Sequence, residues 1–489
     1  MKGVVLVFVT AVLLVLGAFG FMSEIPAAHA WSGTVYIRSD GRVEPTGAPV
    51  NTTDGIVYLV WDDISVSGGE TGIIIERDNI ILDGRGFSVQ GSSSMFNPTY
   101  GIRLEQRNNV TIKNLAIQGH EIGIIVSESV NVRIQANNMV DNFLAIQLSY
   151  SNHSTIIRNN ITGCIGGIVI KDSSNNNVVS ENYLMGVGES AFTGTGISLD
   201  GSNNLIMRNT ITNYFACGVS LSYASTNTIY ANNITLNGAA GIELGEYADN
   251  NTVAGNIIAF NGYGINIYQA SGNRIYHNNF KENGEDIFID DGVVNYFDGG
   301  YPAGGNFWDE HGGDDSFHGE NQDIPGSDGI IDTAYQAPNG IVDRYPLAAP
   351  ITPLPTIAIG ELTFNIDVIS NSTVSNLYIN PDEGPFLRFN VSGPDGTAGF
   401  STVIIPKTLL WTDKGWNITI NGEAITNYLE LSDEKNTYLY FTYTHTTKTI
   451  TIQGTNIIPE YPTTTLVTLL LSTTTLLVAI IKRKTRNKA

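Results

Sequence analysis

Histidine and aspartate side chains are concentrated in WDEHGGDDSFHGE, residues 308–320, and more aspartates follow in GSDGIIDTAY, residues 326–335. Carboxylate oxygens are the ligands that calcium prefers in proteins, so these segments predict a weak, irregular calcium site. An EF-hand is excluded, because Pro325 would occupy one of the ligand positions. The alternative is that the carboxylates hydrogen-bond turn amides. The candidate ligands are Asp309, His311, Asp314, Asp315, His318, Asp323, Asp328 and Asp332.

A repeat of about 22 residues precedes this acidic region. Each repeat opens with a Gly-Ile-x-Leu type segment, in which apolar and polar residues alternate, as in GIRL at Gly101 and GISL at Gly196. Alternation with period two predicts strands with one buried face. Two further short apolar runs complete each repeat. Three strands per repeat, joined by right-handed crossovers, predict a right-handed parallel β-helix.

Asparagines recur at two offsets within the repeats and predict ladders at the turns, because asparagine tolerates left-handed backbone and its amide can bond the neighbouring rung. The first predicted column is Asn109, Asn131, Asn175, Asn204, Asn227, Asn250 and Asn273. The second is Asn138, Asn160, Asn182, Asn233, Asn256 and Asn279.

Outward positions of the rungs carry carboxylates together with aromatic rings. Both are typical of sites that bind sugars, which present hydroxyls and apolar ring faces. No group of rungs concentrates the acid, base and metal ligands that a lyase needs, although a hydrolase requires only two carboxylates facing a groove. The candidate glycan-binding residues are Glu105, Glu128, Tyr150, Asp172, Asp200, Tyr223 and Glu246.

The two ends of the chain indicate export and anchoring. Residues 1–30 have the lysine, apolar run and Ala-x-Ala of a signal peptide. Residues 463–481 are uncharged and long enough for one transmembrane helix, and the basic residues 482–489 predict a cytoplasmic tail. The protein is therefore expected in the cell membrane, as a single-pass protein with its ectodomain outside. The net charge of −22 argues against nucleic-acid binding.

The chain divides into several predicted parts. The β-helix is expected at 31–292 and a cap over its last rung at 293–347. A proline-rich linker follows at 348–356, and a small β-sandwich at 357–457, where alternating segments are separated by turn residues. The predicted fold class is all-β.

The segments ERDNIILDGRGFSVQG, GGNFWDEHGG and GSDGIIDTAY, with the asparagine-rich rungs, resemble NosD-like β-helix proteins of the pectin-lyase-like, carbohydrate-binding and sugar-hydrolysis class. This resemblance covers about residues 35–347. It implies copper, which the scattered Met95, Met139, Met185 and Met207 argue against. The IIPEYP segment before the apolar span resembles the anchor of archaeal surface proteins.

We therefore predict an extracellular β-helix protein that presents a surface to envelope or extracellular polysaccharide. The alternatives are a polysaccharide lyase, glycosidase or epimerase, and a structural envelope protein with no ligand. Weakly bound calcium is the one cofactor that the sequence suggests, and copper is not expected. Glycosylation is predicted at the acceptor sites Asn51, Asn371, Asn390 and Asn417.

Overall fold

The computed structural model describes residues 30–92, 98–188, 194–290, 292–359 and 362–457. The predicted signal peptide (apart from Ala30), transmembrane helix and basic tail lie outside these residues. Within the described ranges, no helix has the length and apolar character needed to cross a membrane. The described chain forms two compact units: residues up to 178 with 182–187, and residues 179–181 with those from 188 onward.

Each repeat folds into three short strands that pair in parallel with the strands of neighbouring repeats, so the predicted right-handed parallel β-helix is confirmed. Ile102 pairs with Ile124, and Leu104 pairs with Val126. These four side chains are buried, whereas Arg103 between them is exposed. The alternation in the sequence therefore predicts correctly which side chains of these strands point into the core and which point outward. We call the three strand positions face 1, face 2 and face 3, in chain order within a rung.

The strands of the first unit were assigned to these faces by their pairing. Face 1 comprises Val35–Ile37, Thr71–Ile75, Tyr100–Glu105, Ile122–Ser127, Leu144–Ser149 and Gly166–Lys171, with Val43–Glu44 antiparallel at its edge. Face 2 comprises Val50–Thr52, Val57–Val60, Ile80–Asp83, Val110–Lys113, Arg133–Gln135 and Thr155–Ile157. Face 3 comprises Trp31–Ser32, Ile64–Ser67, Ser88–Ser92, Ala116–Gln118, Asn138–Val140, Asn160–Thr162 and Tyr183–Met185.

The second unit repeats the same arrangement, and the strand Val178–Ser180 lies at the division between the units. Its face 1 comprises Ile197–Leu199, Cys217–Leu221, Ala240–Leu244, Tyr263–Ile267 and Glu285–Ile289. Its face 2 comprises Leu205–Met207, Thr228–Tyr230, Thr252–Ala254 and Arg274–Tyr276. Its face 3 comprises Thr210–Thr212, Asn233–Thr235, Ile257–Ala259, Asn279–Lys281 and Phe307–Trp308.

Buried asparagines form ladders at the turns, but the predicted members are partly wrong. Asn232 donates to Asn256 Oδ1 at 3.0 Å and accepts from the Asn209 backbone at 2.9 Å. Its neighbour Asn233 is exposed and begins a strand. The ladder between faces 2 and 3 is Asn137, Asn159 and Asn182 in the first unit, and Asn209, Asn232, Asn256, Asn278 and Asn306 in the second.

The ladder that precedes face 2 was also assigned with errors. Asn109, Asn131 and Asn250 occupy positive φ, and Asn109 and Asn250 are exposed. The buried ladder in the second unit is Asn204, Asn227, Asn251, Asn273 and Asn295. A third ladder, of Asn237, Asn261 and Asn283, was not predicted.

The physical reason for these errors is that two different residues at each bend adopt the left-handed backbone and form the ladder hydrogen bonds. The left-handed conformation is adopted by the residue before the ladder asparagine, and Arg158, Arg208 and His277 are examples. The asparagine itself turns inward, where its amide satisfies backbone groups that would otherwise be unpaired. Between faces 2 and 3, the first of two adjacent asparagines therefore belongs to the ladder, and the prediction chose the second. Before face 2 the order is reversed: Asn251 belongs to the ladder, and the prediction chose Asn250.

Residues 293–347, which the sequence predicts as the cap, follow the last full rung. Phe307–Trp308 adds a strand to face 3, and the Trp308 ring stacks on Phe280 with a centroid distance of 4.4 Å. Two short antiparallel pairs complete the cap: Phe317–His318 with Ile324–Pro325, and Tyr335–Ala337 with Ile341–Asp343. A single 3₁₀ turn, Pro338–Gly340, joins the latter two strands.

The rest of the described chain forms two five-stranded antiparallel sheets around one apolar core that includes Phe389, Ile405 and Phe441. The first sheet contains Ile351–Pro353, Asp367–Ser370, Ala398–Pro406, Asn436–Thr444 and Tyr428–Ser432. The second contains Thr373–Ile379, Phe386–Ser392, Lys448–Gln453, Asn417–Ile420 and Glu423–Ile425. Smaller elements are Ile357–Ile359 with Leu362–Phe364, Leu410–Trp411 with Asn456–Ile457, and the 3₁₀ turn Pro381–Glu383.

Candidate functional site

In the first unit, one corner of the β-helix carries a column of polar and aromatic side chains. Gln106, Glu128, Tyr150 and Asp172 each directly follow a face 1 strand, and each has a φ between 48° and 56°. Gln106 donates to Glu128 at 2.8 Å, and Ser149 donates to Asp172 at 2.5 Å. Tyr150 is 61% exposed between the two carboxylates. The structure therefore brings three of the predicted glycan-binding residues together here.

In the second unit, Tyr223 occupies the corresponding corner and donates from its hydroxyl to Glu246 at 2.5 Å. This hydrogen bond raises the pKa of Tyr223, because it favours the neutral phenol. The ring of Tyr247 lies 5.4 Å from that of Tyr223, at an interplanar angle of 38°. The two rings are 59% and 60% exposed, so they form an open aromatic pair beside a carboxylate.

Tyr247 was missed because its rung has one additional residue at this corner. Tyr247, not Glu246, has the φ of 55° that matches the 54° of Tyr223. A fixed offset from Gly241 therefore selects Glu246, and the tyrosine beside it in the sequence was the available signal. Glu105 lies within a face 1 strand and pairs with Arg103 at 2.9 Å, while Asp200 is exposed after Leu199. Neither belongs to the two tyrosine clusters.

The predicted cation ligands of the cap are engaged largely with backbone groups. Asp315 accepts hydrogen bonds from the amides of Asp328 and Gly329 at 3.0 and 2.9 Å. Asp332 reaches back and accepts from the amides of Ser316 and Phe317. These reciprocal bonds hold two segments of the cap side by side. They are the hydrogen bonds to turn amides that were predicted as the alternative to a calcium site.

The remaining predicted ligands are dispersed. Asp309 accepts from the Glu282 amide at 2.8 Å, His311 contacts the Thr333 carbonyl, and His318 contacts the Ile324 carbonyl. Among the described residues, no group of three or more His, Cys, Asp or Glu side chains has a geometry that could hold a metal ion. Calcium binding by these residues, including Asp314 and Asp323, stays a prediction.

Burial shifts the pKa values of several cap carboxyls upward. Desolvation raises the pKa of Asp315 and of Asp328 to about 6, although both accept amide hydrogen bonds that favour the ionised form. Asp343, which is fully buried, has its pKa raised to about 7 for the same reason. The cap therefore contains carboxyl groups that titrate near neutral pH.

The nitrogen and sulfur donors of the described chain do not converge on a site for a soft metal. His120 bonds Thr99 and the Val89 carbonyl, and burial lowers its pKa to about 4. His445 is held between Ser372 and Thr397. Cys164 and Cys217 are buried free thiols, and burial raises their pKa values to about 11 and about 12. These thiols are neutral at physiological pH, which disfavours metal ligation.

Several solved structures are similar to this chain. The Dettilon tailspike protein (gp208) is 12% identical over 86% of this chain and 85% of its own, with a TM-score of 0.39. The Azotobacter vinelandii mannuronan C-5 epimerase AlgE4 A-module is 14% identical over 55% and 92%, with a TM-score of 0.38. The periplasmic alginate epimerase AlgG is 14% identical over 54% and 82%, with a TM-score of 0.35.

No curated protein sequence matches the chain. One family model does, and its description is periplasmic copper-binding protein (NosD). It matches residues 32–192 and 187–313, which together are more than half of the chain. The match spans the asparagine-rich rungs of both units and reaches the cap. The chain therefore belongs to the NosD family.

Proposed function

We propose that this protein binds polysaccharide outside the cell, through the exposed tyrosines and carboxylates at the corners of its β-helix. The observation that carries the proposal is the pair of Tyr223 and Tyr247, with Glu246 hydrogen-bonded to one of them. Open aromatic rings pack on the apolar faces of sugar rings, and a carboxylate accepts hydrogen bonds from sugar hydroxyls. Tyr150, between Glu128 and Asp172, offers the same chemistry in the first unit.

The proposed location is the cell envelope, with the protein held in the membrane by residues 463–481 and the basic tail inside the cell. An archaeal-type envelope is part of this proposal and rests on the resemblance of the IIPEYP segment. The family description adds that NosD proteins are periplasmic, which agrees with export of the chain.

Copper is the ligand named in the family description, but the described donors do not fit it. His120 and His445 bond carbonyl and hydroxyl groups, the two thiols are buried and protonated, and Met139 is fully buried. A copper site requires several soft or imidazole donors that converge on one point. We therefore propose no copper-dependent step for this chain.

The test is binding of the purified full chain to a glycan array, followed by titration with the best polysaccharide. Tyr223→Ala combined with Tyr247→Ala should weaken that binding about tenfold, which corresponds to about 1.4 kcal/mol. Tyr183→Ala is the matched control, because this tyrosine is 41% exposed and its hydroxyl contacts the Met185 sulfur instead of a carboxylate.

The same preparation distinguishes the alternatives. Release of reducing ends or unsaturated products from the bound polysaccharide would show a hydrolase or lyase, and a changed uronate composition would show an epimerase. Absence of binding across the array would leave a structural envelope protein as the better interpretation. Equal binding by the double variant and the wild type would show that Tyr223 and Tyr247 do not form the glycan site.

A further inference from the structure

A cleft of about 760 Å³ lies within the second unit, between the outer surface of face 2 and the antiparallel sheet that begins at Ile351. Its walls include Tyr230 and Tyr276 from face 2, and Asp367 and Lys435 from the antiparallel strands and turns. The volume falls within the range of pockets that hold small ligands. The sequence pattern does not bring these residues together, because the two walls come from segments 91 to 205 positions apart.

Direct hydrogen bonds fix the two walls of the cleft. The Tyr230 hydroxyl donates to Asp367 at 2.6 Å, and Arg208 donates to the Thr356 hydroxyl at 3.0 Å. Asn279 donates to the Ile351 carbonyl and accepts from its amide, both at 2.8 Å. Because these bonds do not involve a ligand, the cleft is preformed, and binding would require little ordering of the protein.

Three polar groups that line the cleft form no hydrogen bond or ion pair with a side chain in the part of the chain that the structure describes. They are the guanidinium of Arg274, the hydroxyl of Tyr276 and the ammonium of Lys435. Burial raises the pKa of Tyr276. The positive charge of Arg274 lowers this pKa, and the negative charges of Asp367 and Asp433 raise it. This phenol therefore stays neutral and can both donate and accept a hydrogen bond.

The unpaired cations determine the kind of ligand. Arg274 and Lys435 form no ion pair with the described carboxylates, although Asp367, Asp433 and Glu434 line the same cleft. Asp367 accepts from the Tyr230 hydroxyl, and Asp433 accepts from the Tyr438 hydroxyl and from the amides of Lys435 and Asn436. A ligand carboxylate would pair with the two cations, and a guanidinium binds carboxylates with two parallel hydrogen bonds. The remaining lining offers hydroxyls and amides, from Thr228, Asn365 and Asn436, which suit a ligand with many hydroxyl groups.

We propose that this cleft binds a sugar acid, a pyranose that carries a carboxylate, with the carboxylate at Arg274 and Lys435 and the ring hydroxyls at Tyr276 and the neighbouring amides. The site shares no residue with the tyrosine clusters of the proposed function and does not depend on it. Tyr230 and Asp367 act as positioning residues, because their hydrogen bond holds the two walls.

The experiment is isothermal titration of the purified full chain with glucuronate, and with glucose as the neutral probe of the same ring size. We expect saturable binding of glucuronate and at least tenfold weaker binding of glucose. Arg274→Gln should weaken glucuronate binding about tenfold to a hundredfold, the loss expected for a charged hydrogen bond. Tyr276→Phe removes only the hydroxyl and should weaken binding less, about fivefold, since a neutral hydrogen bond is lost.

Lys414→Gln is the control for Lys435→Gln, because both lysines are exposed in the second unit and only Lys435 lines the cleft. Lys414→Gln should bind as the wild type does, and the melting temperature of every variant shows whether it is folded. Absence of saturable glucuronate binding by the wild type overturns the proposal. Equal affinity for glucose and glucuronate overturns the role of the two cations. The variant with Tyr223 and Tyr247 replaced should retain glucuronate binding, so failure of one proposal does not imply failure of the other.

Discussion

The indole nitrogen of Trp308 donates a 2.9 Å hydrogen bond to the carboxylate of Asp343, and both side chains are buried. The same carboxylate accepts from the backbone amides of Asn306 and Tyr345 at 2.7 and 3.0 Å. Asn306 is also the last member of its asparagine ladder. One carboxylate near the end of the cap therefore fixes the cap to the final rung.

Replacing Asp343 with alanine should destabilise the protein strongly. The change leaves three buried donors without an acceptor, at about 1–3 kcal/mol each, so we expect a total loss of about 3–5 kcal/mol in the free energy of unfolding. Denaturant unfolding followed by tryptophan fluorescence measures it. Asp314→Ala, at an exposed aspartate of the same cap, is the control. Equal losses in the two variants would contradict the role given to Asp343.

The cap should make the protein more stable at pH 5 than at pH 7.5. The pKa values of Asp315 and Asp328 are raised to about 6, and that of Asp343 to about 7. An unfolded aspartate has a pKa of about 3.9. Between these values the native state binds more protons than the unfolded state, so stability falls as the pH rises and is lowest above pH 7.

The measurement is the melting temperature of the full chain across this pH range. In Asp315→Asn the change between pH 5 and pH 7 should be smaller, because one of the raised carboxyls is absent. A melting temperature that increases from pH 5 to pH 7.5 would show that buried histidines with lowered pKa values, such as His120 and His277, dominate instead.

Two adjacent asparagines should respond differently to alanine. Asn232 is buried and bonds the Ile206 carbonyl, Asn256 and the Asn209 amide, so Asn232→Ala should lower the free energy of unfolding by about 2–4 kcal/mol. Asn233 is exposed, and Asn233→Ala should change it by no more than about 0.5 kcal/mol. Thermal or denaturant melts of the two variants test the ladder assignment, which is wrong if the losses are alike.

Calcium binding by the cap predicts a modest stabilisation. A weak site has a dissociation constant of about 0.1–1 mM. At millimolar calcium and about 0.1 mM affinity the gain is about 1.4 kcal/mol, or a few degrees in melting temperature. Melts with calcium and with chelator measure it. Asp314→Asn should abolish the difference between the two buffers. It removes the charge of a candidate ligand whose carboxylate accepts no hydrogen bond from an amide of the described residues. If the wild type melts alike in both buffers, the aspartates serve only the turns.

Glycosylation should follow the engagement of each acceptor asparagine. Asn51 is exposed and should be modified if the host glycosylates exported proteins. Asn371 donates to the Ala398 carbonyl and accepts from the Phe400 amide, so its modification should be incomplete, in contrast to the expectation from the sequence. Asn390 and Asn417 stay predicted sites. Peptide mass spectrometry of the exported protein tests this, and full occupancy at Asn371 would contradict it.

The buried faces of the strands could be predicted from the sequence, because they depend on periodicity. The ladder asparagines and the tyrosine pair were partly missed, because they depend on the backbone conformation of single residues. Alternation along Ile197, Ser198 and Leu199 predicted their burial correctly, because a strand has only two faces. The choice between Asn232 and Asn233 needs the φ of the residue before them, which composition does not reveal. Tyr247 was missed because one extra residue shifts the corner of its rung.

The cleft could not be found from the sequence for a different reason. Arg274 and Lys435 lie far apart in the chain, and only the packing of antiparallel strands against face 2 brings them to one cleft. No local pattern encodes that packing.

The asparagine ladder has a consequence for how such chains change length. Along Asn209, Asn232, Asn256, Asn278 and Asn306 the spacing varies between 22 and 28 residues, and the hydrogen bonds remain alike. The ladder thus constrains one residue per bend and leaves the loops between bends free to grow. Duplication or deletion of whole rungs, and insertion at corners, are the genetic events that this architecture tolerates best, so new surface can evolve without redesign of the core.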